Sequence, residues 1–543
     1  MSEVLSSNEI LADSDSVKAG SPKHEDGSVW SFKSYLPALI PIVGAIVMVL
    51  LRIQLGGSRF MDDGALMMIA LACYLAAATF HLTNLYAPSN MAQKIGLWTG
   101  CLGVFFNLSS WCVRWVAAYD RELQIFQAQG KTAADMEWAF RFIPFANLYD
   151  LSLAFAFGAG ITTMVISGRK NFRFIGAVSL PLAALILVLA RFIGNDFINL
   201  PPVLDSYWRP IHVGIASLSY GVALVCFAAA VIYLLKVGTK PEAMAIWAAI
   251  FGLSVFATVS RFSVFTTGIY TASTFMQGSR MGLPLRADIP YVGLLIIISG
   301  VLLLGVIALF GKYLLQEDER ARRWGHWLLK LSLVTQACAV VALVSQVKSM
   351  TNVVSKINPN QFPQFGAWLA EQQGMTPEQV QAIDPSRFVA ASQEFVNERG
   401  SSLILSLNAN PVELSALITA FAATLFVVFF SFRTDVLRKA LPSAEKLDSL
   451  MYKTASVAFA GLAMLLVTGA IWANESWGRY WGWDSKETGA FVAWLTYGGF
   501  LHARIARGMT GKRSAYFAVV AFLLVIFTYL GVSYLLPGLH SYA

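Results

Sequence analysis

The sequence predicts an all-α protein that threads a membrane many times, and three observations carry that prediction. Of its 543 residues, 56% are apolar and only 13% are Asp, Glu, Lys or Arg, against roughly 25% charged in soluble globular chains. Mean hydropathy is +0.59. The apolar residues gather into runs near the 20 or so that a spanning helix needs, with the charges between them. This excludes an ordinary soluble enzyme, a disordered chain and a nucleic-acid-binding domain, in spite of a net charge of +8. A membrane protein places its basic excess by topology, so that charge names no partner, and no nucleic acid is expected.

Residues 1–34 are polar, with Ser, Asp and Glu prominent and no apolar h-region, which reads as a cytoplasmic tail and not a signal peptide. About 13 transmembrane helices follow, near 36–51, 63–87, 95–117, 147–167, 174–190, 211–235, 243–265, 290–311, 327–347, 412–431, 454–472, 487–503 and 515–536. The first run is short, and Arg261 interrupts the seventh. Loop charge orients the set. The alternate loops 88–94, 168–173, 236–242, 312–326, 432–453 and 504–514 hold 19 Lys or Arg in 68 residues, whereas the opposite set holds 11 in 98. The richer set belongs in the cytoplasm with the N-terminus, and an odd number of spans puts the C-terminus outside. The hydrophilic stretch 348–411 then also lies outside; it shows no catalytic pattern and has room for helix. None of the five cysteines forms Cys-x-x-Cys, so no disulfide framework or structural zinc is indicated.

The most informative stretch is Trp472–Arg504, where five of the fifteen tryptophans (Trp472, Trp477, Trp481, Trp483 and Trp494) fall within 23 residues. Tryptophans do gather at membrane interfaces as anchors. That does not explain why Glu475, Arg479, Asp484, Lys486 and Glu487 are interleaved with them. Flat rings studded with charges suit a large planar ligand with anionic groups, such as a porphyrin with two propionates: rings stack on the macrocycle while Arg and Lys pair with carboxylates.

Of six histidines, four sort by depth into two pairs. His212 begins a span on the outer side, and His540 follows the last span, also outside. His502 and His81 lie fifteen or more residues into inward-running spans, roughly 20–27 Å below the outer surface at 1.5 Å per residue. Ionisable groups at that depth are functional candidates, and paired histidines suit haem iron. A lone histidine near a span is more commonly a packing residue; His24 in the polar tail and His326 in a basic loop read as solvated.

The stretch W-G-W-D-S-K-E (Trp481–Glu487), within Trp472–Arg504, resembles the tryptophan-rich "WWD" signature of the haem-handling family of cytochrome c maturation, which includes CcsA/ResC, CcmC and CcmF. P-F-A-N-L-Y-D-L-S (Pro144–Ser152), L-P-P-V-L-D-S-Y-W-R-P-I-H-V (Leu200–Val213) and L-L-P-G-L-H-S-Y-A (Leu535–Ala543) resemble segments of the CcsA type, used in system II, in the expected order. The resemblance covers about 63–236 and 441–543, a core of eight spans. It implies that His212 and His540 ligate haem on the outer face, and that His502, in L-H-x-R, is the family's intramembrane histidine. In fused CcsB–CcsA proteins the second intramembrane histidine comes from the CcsB portion, so His81 is a candidate by depth alone. Ser485 stands where the family has Pro, and Gly489 where an aromatic is common. The chain thus divides into the tail at 1–34, an extra helix at 35–62, a first core part at 63–239, inserted helices at 240–440 with the outer loop 348–411, and a second core part at 441–543 with the WWD loop at 472–487.

The resemblance implies delivery and presentation of haem b, bound transiently as cargo, for attachment to an apocytochrome c carrying Cys-x-x-Cys-His. Trp477, Trp481 and Trp483 would cover the macrocycle, with Asp484 in the loop and Arg479 and Lys486 at the propionates. A CcsB/ResB-type membrane partner, thiol-reducing thioredoxin-like proteins and a bacterial inner membrane, more than a thylakoid-type one, are the expected setting. It leaves open whether the chain is itself a haem lyase component forming thioether bonds. Two other classes compete. A b-type cytochrome in electron transfer would bury both histidine pairs deep in one bundle. A haem or small-molecule transporter would show midplane charges or broken helices, for which Arg261 is the one clear candidate.

Overall fold

The computed structural model describes residues 32–133, 139–193, 197, 202–259, 263–276, 285–348, 359–372, 374–399, 405–406, 411–431 and 434–532. They form helices α1 (Phe32–Leu55), α2 (Asp63–Tyr86), α3 (Asn90–Ala128), α4 (Leu148–Ser167), α5 (Gly176–Ile193), α6 (Trp208–Lys236), α7 (Pro241–Thr258), α8 (Ser263–Thr267) and α9 (Val292–Gln316). They continue as α10 (Glu319–Lys348), α11 (Phe362–Gln372), α12 (Pro377–Gln381), α13 (Pro385–Arg399), α14 (Pro411–Phe430), α15 (Thr434–Ala440), α16 (Ala444–Trp477), α17 (Ser485–Arg507) and α18 (Lys512–Ile526). His24, Arg261 and His540 lie outside the described residues.

Each expected span coincides with a helix, but not all thirteen are apolar enough to cross a membrane. Eleven qualify, on α1–α7, α9, α10, α16 and α18, and the bent pair α14–α15 makes a twelfth if counted as one. The expected span 487–503 forms as α17, but Lys486, Glu487, His502, Arg504 and Arg507 leave it less apolar than the eleven. The protein is an all-α, multi-pass membrane protein. A small antiparallel sheet interrupts the pattern, with β1 (Tyr270–Met276) between β2 (Leu285–Ile289) and β3 (Leu405–Ser406). The stretch 348–411 carries α11–α13, of which α11 packs on α13.

Two hydrophobic cores result. One joins α2–α6 to α16–α18; the other is built of residues between Ala245 and Ala420, from α7, α9, α10, α11 and α14. The chain leaves and re-enters the first core at adjacent points. Lys236 Nζ at the end of α6 donates to the carbonyls of Arg438 (2.7 Å) and Leu441 (2.8 Å). Arg438 in turn donates to the carbonyls of Leu235 (3.0 Å) and Thr239 (3.1 Å).

Small residues bring the site-bearing helices close. A Cβ on Gly221 of α6 would run into the backbone of Gly158 and Ala159 on α4, and one on Gly158 would sit 2.9 Å from the Ser217 carbonyl. On the other side of α6, Ser219 meets Gly461 of α16 and His212 meets Gly469. With no hydrophobic drive between helices in lipid, such close backbone approach is what holds them together.

Candidate functional site

The aromatic loop is fixed at both ends by helix caps. α16 stops at Gly478, whose φ of +69° suits glycine and whose N–H donates to the Asn474 carbonyl at 2.9 Å. α17 starts at Asp484 with a capping box, in which Asp484 accepts from the helix's first turn and Glu487 accepts from Asp484 N–H (3.2 Å) and Gly482 N–H (2.8 Å). Between them Trp483 takes φ +55°, a left-handed conformation that costs a non-glycine residue free energy. Ser485 is the first residue of α17, the position where proline is favoured. Gly489 is explained by packing: a Cβ there would lie 2.9 Å from Thr528 Oγ1 and 3.2 Å from Val532, so an aromatic has no room beside the last helix.

Beneath the loop is a cavity of about 1240 Å³, counting the part open to solvent, where the N-terminal ends of α4, α6 and α17 meet the C-terminal end of α16. Its walls carry His212, Arg209, Trp472, Trp477, Tyr480, Trp481, Lys486, Glu487 and Tyr529 on a lining that is otherwise apolar save for Asn147, Tyr220 and Thr528. The enclosed space that a water-sized sphere can enter is about 160 Å³, below the roughly 300–1,000 Å³ of drug-sized pockets, so a macrocycle enters only as the loop opens. His212 leaves the first turns of α6 with Nδ1 3.1 Å from the Leu465 carbonyl and 3.5 Å from Thr468 Oγ1, and its ring lies 5.6 Å from that of Trp472. A carbonyl accepts only from N–H, so Nδ1 bears the proton and Nε2 carries the lone pair that a metal would use. Burial pushes the Lys486 ammonium down to about 8, against the opposing pull of Asp484.

Of the residues expected from sequence, the structure brings His212, Trp477, Trp481 and Lys486 together on this lining, with Asp484 capping the helix beside it. Trp483 stands off it, 69% exposed, with its ring 5.7 Å from Trp481 and edge-on to it. Arg479 is exposed and lies over Gly482, away from the lining. His540 lies outside the described residues.

His81 and His502 do not form a pair. His81 is buried between Gly96 of α3 and Gly176 of α5, where added methyls would lie 3.2 Å and 2.6 Å from its ring. That is tight helix packing with no space for a macrocycle. His502 is exposed on α17, which packs against α16 and α18, whereas α2 packs against α3 and α5. His326 is not a freely solvated residue: its Nε2 lies 3.0 Å from buried Glu242, which also accepts from Arg322 Nε at 2.7 Å.

Three features escaped the sequence reading. Arg209, one helical turn before His212, lines the same cavity; the i, i+3 spacing was the available signal. Trp472 and Tyr480 line it as well, in place of Trp483. Behind the wall at Phe145–Leu151, fully buried Arg114 of α3 pairs with Asp150 of α4 and with Asp63 of α2 (3.3 Å), while Tyr149 donates to Asp63 at 2.8 Å. Asp150 also accepts the Ala146 N–H at 2.9 Å, so this ion cluster ties down the turn that forms the cavity wall.

Fold and site together define a multi-pass α-helical membrane protein with a histidine-bearing, aromatic and cationic cavity at its helix ends. The family model described as "Cytochrome C assembly protein" matches residues 145–279 and 411–540. The chain is similar to the cytochrome c biogenesis protein CcsA of Prochlorococcus marinus subsp. pastoris, 33% identical over 216 residues, covering 39% of this chain and 63% of that one. It is similar to CcsA of a second Prochlorococcus marinus strain, 30% identical over 234 residues, covering 43% and 70%. Against CcsA of Parasynechococcus marenigrum it is 50% identical over 102 residues, covering 19% and 33%. The chain thus spans 63% of the length of the first of these relatives. It belongs to the cytochrome c assembly protein family, on the CcsA side.

Proposed function

We propose that this protein presents haem, received from the cytoplasmic side, at its outer cavity for attachment to an apocytochrome c during cytochrome c maturation. The observation that carries this reading is that His212 and the tryptophan loop, 260 residues apart in sequence, line one cavity. In this reading haem b is cargo. His212 offers Nε2 to the iron from one side, and His540 completes the pair from the other; two imidazoles favour low-spin iron and limit access of oxygen. Trp477 and Trp481, with Trp472, supply ring faces to the macrocycle. The incoming Cys-x-x-Cys-His histidine displaces one of the pair, aligning the two thiols with the two vinyl groups; each S–H then adds across a vinyl C=C. Positioning, more than acid–base chemistry, supplies the acceleration.

The exposure of His502 supports a companion CcsB/ResB-type chain supplying the facing intramembrane ligand, in a bacterial inner membrane. Thioredoxin-like proteins would keep the thiols reduced. The helices at 240–440 form an insertion into the family core; the Lys236–Arg438 clamp, which joins its two ends, supports that division.

The test is the absorption spectrum of the full chain purified from haem-replete cells. Low-spin bis-histidine haem that disappears in the His212→Ala/His540→Ala double variant is expected. A protein that carries no haem yet fully sustains cytochrome c maturation would overturn the reading.

A further inference from the structure

The turn joining α17 to α18 lies at the opposite end of α17 from the cavity, 23 residues away, or about 35 Å at 1.5 Å per residue. Gly508 and Gly511, with φ of +60° and +80°, fold it tightly. Arg504 holds it from inside, donating to Asp448 of α16 at 2.9 Å and to Ser514 of α18 at 3.3 Å. Arg507, Lys512 and Arg513 stand exposed around it, and among the described residues none of the three meets a carboxylate. Asp448 is already taken by Arg504. Lys512 and Arg513 occupy the first turn of α18, where the helix dipole disfavours cations, and that turn has neither an acidic residue nor a side-chain cap. Beyond them α18 divides into two faces. Ser514, Ala515, Ala518, Ala521, Phe522 and Val525 are buried, and the helix packs on α6 and α17. Tyr516, Val520, Leu523 and, just past the end of the helix, Phe527 are 38% to 51% exposed. Their spacing of three or four residues makes them one row, and Lys512 and Arg513 stand at its head. The row runs for about 16 Å, the depth of one leaflet in a hydrocarbon core of roughly 30 Å. At the start of α10, by contrast, Arg320 and Arg323 stand beside Glu317, Asp318 and Glu319, so the charge there is balanced locally.

We propose that the α17–α18 turn is a docking site for an anionic phospholipid of the cytoplasmic leaflet. The phosphate sits among Arg507, Lys512 and Arg513, and an acyl chain lies along Tyr516, Val520, Leu523 and Phe527. Loop charge assigns this end of the helices to the cytoplasm. Cations clustered beside a span attract negative headgroups, by about fivefold in affinity for each Lys or Arg. A water-soluble acidic partner would meet the cations and leave the apolar row uncovered, whereas a lipid covers both. The lipid also answers a weakness of α17, which carries charge at both ends and is less apolar than the other spans. Its outer end is fixed by the capped loop, and its inner end is fixed by the headgroup. The helix that presents the tryptophan loop thus stands on a lipid foot.

The experiment offers the full chain in detergent equal amounts of phosphatidylglycerol and phosphatidylcholine with the same acyl chains. Retained lipid is counted by native mass spectrometry, and thermal unfolding is followed alongside. The wild type is expected to retain phosphatidylglycerol in preference and to unfold at a higher temperature with it, and high salt should erode the preference. Arg507→Gln, Lys512→Gln and Arg513→Gln should each lower the preference about fivefold, and the triple variant should abolish it. The Arg320→Gln/Arg323→Gln double variant on α10 should keep it. Glycerol phosphate, a headgroup without acyl chains, should neither displace phosphatidylglycerol nor raise the unfolding temperature. Equal retention of the two lipids by the wild type overturns the proposal, as does an undiminished preference in the triple variant or an equal loss in the α10 control. Protection by glycerol phosphate equal to that by phosphatidylglycerol overturns the lipid as the ligand. If the triple variant does not fold, the single variants decide, and a wild-type preference in all three refutes the site.

Discussion

Gly469→Ala tests whether the orientation of His212 matters to the site. A methyl at this position of α16 would lie 2.8 Å from His212 Cε1 and 3.0 Å from Nδ1. Reaching ordinary contact at 3.4 Å requires the ring to give by about 0.6 Å. The hydrogen bond from Nδ1 to the Leu465 carbonyl is already 3.1 Å long, and that displacement takes it past bonding range. Losing such a buried bond costs about 1–3 kcal/mol, and disturbing a group that orients a metal-binding histidine typically lowers affinity about 10–100-fold. The opposing effect is on the helix, where alanine in place of an interior glycine gains about 0.5–1 kcal/mol. Stability should therefore fall by no more than about 2.5 kcal/mol, while haem affinity, read by Soret titration, falls at least about tenfold. Gly214→Ala on α6, whose added methyl meets only Phe145 at 3.7 Å, serves as the control and should bind as wild type. A Gly469→Ala protein with wild-type affinity and an unchanged spectrum would refute the role given to the Leu465 carbonyl.

Arg114→Met removes a buried cation that serves two carboxylates, and should destabilise by about 3–5 kcal/mol; thermal unfolding in detergent reads this directly, and a loss under 1 kcal/mol counts against the cluster as a strut. Burial pushes Lys486 down to about 8, and a bound carboxylate favours its protonated form, so affinity for the free-acid porphyrin should be full below about pH 8 and fall as pH rises through it. Lys486→Gln should flatten that profile, and a wild type with a flat profile from pH 6 to 9 contradicts the assignment. Trp481→Ala should lower haem content and cytochrome c yield together; unchanged values of both would sink the stacking platform. Gly176→Ala, whose methyl would lie 2.6 Å from the His81 ring, should cost about 1–3 kcal/mol through overpacking and, if His81 serves packing alone, leave the haem spectrum unaltered.

Hydropathy made the membrane helices legible, because each span must bury its own backbone hydrogen bonds in an apolar sheath. α17 stands apart in composition, because its ends carry charges that the loop and Asp448 engage: Arg504 bonds Asp448 of α16 at 2.9 Å. His212 and the tryptophan loop were visible as residue types in an unusual pattern. Arg209 was hidden because an arginine next to a span end looks like an interfacial anchor until a second helix is placed opposite it. Arg479 and Trp483 lie off the lining for the reverse reason: a turn between two caps sends alternate residues out and in, and which is which depends on the left-handed residue at Trp483. His81 shows the limit of depth as a criterion, since only the glycines of two neighbouring helices reveal that its ring is enclosed.

The Lys236–Arg438 clamp has a consequence for how the chain can be divided. The turn at 374–376, between α11 and α12, is exposed and lies far along the sequence from both cores' membrane helices. A cut there yields two fragments, one carrying Arg209 and His212, the other carrying the tryptophans and Lys486, and neither owns a cavity. The helices of the second core and the reciprocal hydrogen bonds of the clamp are shared between the fragments, which gives each a means of finding the other. Co-expressed halves would therefore acquire a Soret band only on reassembly, turning the site into a colour signal for complementation.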